Sequence, residues 1–107
     1  MTTVRFYFAN EVLYGFEIKG HSTFDEDDEQ GRLVCASISS AAYMTANTVT
    51  EIIGANADIS VDEEKGEMIL KVLSEIESCA TVLMGFMFHI EQLSKQYDDY
   101  ITVTTEV

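Results

Sequence analysis

The chain has no proline, and it has neither an internal repeat nor a low-complexity linker, so nothing marks a boundary between domains. It has two cysteines, too few for a disulfide framework, which points to reduced thiols in a reducing compartment. No run approaches the roughly 18 to 20 apolar residues of a membrane helix, and the opening MTTVRFYFANE lacks the basic-then-apolar order of a signal peptide. The expectation is a soluble, cytoplasmic protein with no membrane contact. Basic residues are scarce as well, 6 against 19 acidic, for a net charge of -13. Such a surface repels phosphates and releases no counterions from them, which excludes direct nucleic-acid binding as a leading function. The same field attracts a basic protein or peptide.

What is present is a core. With 107 residues, 47% of them hydrophobic, residues 1–107 are long enough for one domain around one core. VRFYF (4–8) and VLYGFEIKG (12–20), rich in β-branched and aromatic residues, read as a hairpin across Ala9-Asn10-Glu11. Apolar residues recur at helical spacing from Leu33 to Ile53, with Gly54 as the stop, and small residues in Cys35 to Ala42 permit close approach of another backbone. ADISVDEEKGEMILKVL (57–73) alternates around a Gly66 turn as a second hairpin. Ser74 and Glu77 match a capping box opening a second helix to about Tyr97, and YITVTTE (100–106) is a last strand. The order ββαββαβ predicts an α+β two-layer sandwich, two helices packed on a mainly antiparallel sheet. Gly85 inside the second helix predicts a close contact with the sheet, helix one or a second subunit, foremost with the sheet. Met84, Phe86, Met87 and Phe88 make that helix apolar nearly all round, so it is buried on two sides or forms a subunit interface.

Two residues suggest chemistry. Cys35 falls in the expected first turn of helix one, where free backbone N–H groups favour a thiolate and can bind an oxyanion. His21 ends the preceding strand, within reach as a base. Spacing alone leaves open whether Cys35 is a nucleophile or a small apolar residue at the core edge. Cys79 reads as a buried small residue and His89 as a surface or core-edge histidine. His21, Cys35 and the loop carboxylates match no structural zinc spacing, so no metal or cofactor is expected.

The sequence also resembles a known family. Gly20-His21-Ser22, an intervening loop, then Gly31-Arg32-Leu33-Val34-Cys35-Ala36 and Ser39 are similar to the Gly-His-Ala and Gly-Asp-Ile-Val-Cys-Ala elements of the ribosomal-processing cysteine proteases (Prp), which have a serine four residues after the cysteine. The likeness extends through the element order to the Tyr97-containing exit into the ITV strand. It implies that His21 and Cys35 form a catalytic dyad, with Ser39 one helical turn on. It further implies removal of an N-terminal extension from the large-subunit ribosomal protein that reaches the peptidyl-transferase centre, and a homodimer.

On that reading the backbone N–H groups of Cys35 and Ala36 are the oxyanion candidates, with Ser39 orienting the dyad or touching substrate. Gly20 and the acidic run Asp25, Glu26, Asp27, Asp28 and Glu29 are candidates for holding a basic substrate; the run reads first as a solvated loop and second as a lid that orders over peptide. The sequence departs from the family at Ser22 and at Arg32, which stands where an aspartate is usual. The histidine thereby loses an acidic partner that Asp28 or Glu29 would have to replace. The rival reading is a non-catalytic, acidic, dimeric module of the same fold that binds a basic ribosomal protein.

Overall fold

In a computed structural model, residues 1–21 and 27–107 are described. Ser22, Phe24, Asp25 and Glu26, in the loop that carries the acidic run, lie outside them. The elements run β1 (Thr2–Ala9), β2 (Val12–Lys19), α1 (Glu29–Asn47) continued by a π-helical turn (Thr48–Ile52), β3 (Ala57–Asp62), β4 (Glu67–Val72), α2 (Ile76–Gln96) and β5 (Ile101–Glu106). This is the expected ββαββαβ α+β fold.

The first hairpin turns on Asn10 and Glu11, both at positive φ (52° and 66°), the geometry whose twist matches paired strands. Ala9 pairs with Val12, and a bulge at Tyr7 and Phe8 shifts the register beyond it. The sheet order is β3-β4-β2-β1-β5. All its pairings are antiparallel except β1 with β5, so the sheet is mixed.

Inward-facing residues alternate along the strands. Val4, Phe6, Phe16, Ile18, Met68 and Leu70 meet Val34, Ile38 and Ala42 of α1 and Leu83, Phe86 and Ile90 of α2 in one core. Phe86 packs on Phe16 and Phe6 at ring centroid distances of 4.6 and 5.8 Å. Among the described residues both helices pack on this one face of the sheet. On the opposite face Tyr7 donates a hydrogen bond to the Glu17 carboxylate, Lys19 pairs with Glu17 at 3.2 Å, and Lys71 Nζ lies 4.8 Å from the centre of the Tyr7 ring.

Three local expectations fail. Helix one begins at Glu29, four residues before Leu33, because Asp28 caps it: its carboxylate accepts the Gly31 N–H at 2.9 Å. The capping box does not form. Glu75 occupies the N-cap of α2 at φ 52° with no side-chain bond, while Ser74 Oγ accepts the Asn56 N–H at 2.8 Å and ties the start of α2 to the approach to β3. Gly85 makes no close contact with the sheet or with α1: among the described residues a methyl group there would find nothing within 4 Å, and the residue is exposed, which leaves only the contact with a second subunit.

The topology decides where the site forms. β2 runs into α1 and β3, and β3 is parallel to β2 across the intervening β4. The end of β2, the β3–β4 turn and the start of β1 therefore share one end of the sheet.

Candidate active site

At that end lies a cleft of about 240 Å³ between α1 and the β3–β4 hairpin. Cys35, Ile38, Ser39, Ala42 and Tyr43 line it from α1, at spacings of three, one, three and one that place them on a single helix face. The far wall is Val61, Asp62, Glu63, Gly66 and Glu67, and Gly20 and His21 close the end. Ile18, Ile38, Ala42 and Met68 make the floor apolar, while three carboxylates give the hairpin side an acidic rim.

Cys35 is half-buried and not in a disulfide, and Ser39 is exposed. His21 is exposed and follows β2 after Gly20. The Met1 nitrogen donates to its carbonyl oxygen at 2.8 Å, and Thr2 Oγ1 donates to the Gly20 carbonyl at 3.3 Å. Gly20 has φ +88°, and a methyl group on it would lie 2.6 Å from the Met1 carbonyl oxygen. Its place in the site is thus explained by backbone packing. The imidazole Nε2 lies 3.1 Å from the Glu64 carbonyl oxygen.

The structure brings His21, Cys35, Ser39 and Gly20 together, and it changes the reading of three other groups. Cys35 is the seventh residue of α1, so the N–H groups of Cys35 and Ala36 fall where helix geometry pairs them with carbonyls four residues back. The expectation that they form an oxyanion hole at a helix terminus loses its basis, and Ala36 points to the exposed outer groove with Leu33 and Met44. Asp28, expected in a substrate loop or beside His21, is the N-cap of α1, and the same Oδ1 accepts the Tyr100 hydroxyl at 3.2 Å. Glu29 is the first exposed residue of the helix, and its N–H bonds to the carbonyl of the exposed Asp27 at 3.0 Å.

Sequence reasoning placed the β3–β4 turn at Gly66 but missed it as part of the site. Its only signal was Gly66, read as a turn residue and not as a neighbour of His21. Arg32 is exposed, one helical turn before Cys35. Cys79 is fully buried, and burial, with Glu75 nearby, pushes its thiol up, the opposite of what a nucleophile needs. His89 is exposed on the far side of the helices. Among the described residues no group of three or more His, Cys, Asp or Glu side chains is arranged to hold a metal ion. Among them, too, no helix is long and apolar enough to cross a membrane.

A thiol and an imidazole lining one cleft can act as nucleophile and acid/base partner. The fold recurs in known structures. It is similar to an essential ribosomal processing protease Prp from S. aureus in complex with a covalently linked product peptide: TM-score 0.87, 18% identity, 99% of this chain and 100% of that one. The same protease with a substrate peptide matches at TM-score 0.87 and 17% identity, with the same coverage. SMU.848 from Streptococcus mutans matches at TM-score 0.84 and 20% identity over 98% of this chain and 93% of that one. Curated protein sequences give no match. The family model for cysteine protease Prp matches residues 1–102, nearly the whole chain, and the molecule therefore belongs to that family of cysteine proteases.

Proposed function

We propose that this protease uses Cys35 as nucleophile and His21 as general base and acid, and that its substrate is the N-terminal extension of a basic large-subunit ribosomal protein, the one reaching the peptidyl-transferase centre. The observation carrying this reading is that His21 and Cys35, fourteen positions apart, line the same cleft. His21 takes the Cys35 proton, and the thiolate attacks the scissile carbonyl. The imidazolium then protonates the leaving amine, which departs with the C-terminal part of the substrate. Water, deprotonated by His21, releases the acyl group and restores the thiol. Ser39, on the same helix face, is the side-chain candidate for contacting the oxyanion or the peptide.

Support for the substrate is twofold. The S. aureus relative is a ribosomal processing protease, and the rim Asp62, Glu63 and Glu67, within a chain of net charge -13, suits a basic peptide. We place the reaction in the cytoplasm, where ribosomal proteins are made. A homodimer is the natural cover for the apolar outer face of the helices, where Leu33, Met44 and Phe88 are 69%, 70% and 64% exposed.

The test is intact-mass analysis of the extended ribosomal protein after incubation with wild type, Cys35→Ser and His21→Ala. A single N-terminal cut by wild type alone supports both roles and the substrate. Unchanged mass throughout, with folding intact and binding retained, returns the non-catalytic module. Light scattering on wild type and Phe88→Asp reads the association: a dimer that the substitution dissociates supports the helix face, and a wild-type monomer removes it.

A further inference from the structure

We infer that the β3–β4 turn is the positioning device for His21, with the Glu64 carbonyl oxygen as its hydrogen-bond acceptor and Gly66 as the residue that makes room for the ring. The inference rests on the dyad proposed above, and it assigns the part of the machinery for which the sequence offered only acidic candidates.

A carbonyl oxygen can only accept. The 3.1 Å contact from His21 Nε2 to the Glu64 oxygen therefore needs a proton on Nε2. A neutral imidazole has one such proton, so the contact selects the tautomer whose lone pair is on Nδ1 and makes Nδ1 the base. Orienting partners of this kind, main-chain carbonyls included, are the usual way a working histidine is held.

Gly66 is fitted to the ring on two grounds. Its φ is +66°, which costs a residue with a β-carbon. A methyl group on it would also lie 2.8 Å from His21 Cε1, 3.0 Å from Nδ1 and 2.8 Å from the Gly20 carbonyl oxygen. The first two contacts displace the imidazole, and the third blocks retreat because the oxygen belongs to the backbone. The turn is itself held: the Lys65 N–H donates to Asp62 Oδ1 at 3.2 Å and the Gly66 N–H to the Glu63 carbonyl at 3.3 Å. An uncharged acceptor orients the ring without pairing its charge, and the carboxylate residues that line the cleft with it are Asp62, Glu63 and Glu67. No aspartate at position 32 is needed for the orientation.

Gly66→Ala tests this beside Gly54→Ala, a control with φ +76° and nothing within 4 Å of its added methyl. The control shares the backbone strain and leaves His21 untouched. Long-range proton–nitrogen correlation spectra of the neutral rings, with His21→Ala to assign them, read the tautomer. The exposed His89 serves as internal reference. In wild type His21 is a single Nε2–H tautomer while His89 is a mixture. In Gly66→Ala the His21 preference is lost, kcat falls by about 10²-fold with KM within about twofold, and Gly54→Ala keeps wild-type values.

A wild-type His21 that is mixed or protonated on Nδ1 overturns the inference, whether or not Gly66→Ala folds. A folded Gly66→Ala with wild-type tautomer and kcat overturns it too. Wild type with the Nε2–H tautomer and no cleavage of any extended ribosomal protein leaves the positioning intact and removes the protease reading instead.

Discussion

The Tyr100 hydroxyl donates to Asp28 Oδ1 at 3.2 Å, on the same oxygen that accepts the Gly31 N–H at 2.9 Å. This contact ties the N-terminus of the helix that carries Cys35 to the residue just before β5. Asp28→Ala removes the cap and the tether together and lowers stability by about 0.5–2 kcal/mol, the range of lost N-caps. Tyr100→Phe costs about 1 kcal/mol, and the double variant costs less than the sum because both act on one oxygen. Urea midpoints of the three variants check this, and strict additivity would show the tether to be idle.

Tyr7 and Glu17 predict how stability depends on pH. Burial, helped by the hydrogen bond to Glu17, pushes the Tyr7 phenol up to about 12. Burial also pulls the Glu17 carboxyl upward, but hydrogen bonds from Tyr7 and Lys19 and the charges of Lys19 and Arg5 outweigh it, so it titrates below its ordinary 4.5. The Glu17 contribution is therefore complete above 4.5 and is lost as pH falls through the lowered native value. That of Tyr7 is complete below 10.0 and is lost as pH rises toward about 12. Chemical denaturation from pH 3 to 12 should show a plateau with a fall at each end. Tyr7→Phe should remove its share of the alkaline fall and make the acid fall shallower; an alkaline limb unchanged in that variant would contradict the assignment.

The two thiols should separate cleanly. Cys35 borders the cleft, while Cys79 is fully buried and its thiol is pushed up. Brief alkylation of the native protein should add one label, on Cys35, with Cys79 reacting only after denaturation. Peptide mapping reads the site, and comparable labelling of both in the native state would refute the burial of Cys79.

Phe86 joins α2 to the sheet through its contacts with Phe6 and Phe16. Phe86→Ala should cost about 3–5 kcal/mol, the range for a large aromatic lost from a core. Calorimetry checks it, and a loss under about 1 kcal/mol would mean that the core collapses onto the gap.

The sequence by itself determined whatever depends on short-range pattern. β-branched and aromatic content in 4–8 and 12–20 and period-two alternation in 57–73, with Asn10-Glu11 and Gly66 at the turns, specify both hairpins. Helical spacing placed α2 within a residue or two of Ile76–Gln96. The Gly20-His21 and Cys35 motifs pointed to the family. The tertiary structure alone decided which partners the short polar and small residues take. Asp28 sits in an acid run that reads as solvated loop, and only the fold selects it as the cap. Ser74 matches a helix start yet accepts from Asn56, eighteen positions earlier. Gly85 suggests a contact and meets open space among the described residues, whereas Gly66, read as a mere turn, meets His21. Alternation and helical spacing are properties of neighbours in the chain. Hydrogen-bond partners and the room beside a glycine belong to residues brought from far along it, and the strand order that delivers them appears in no local segment.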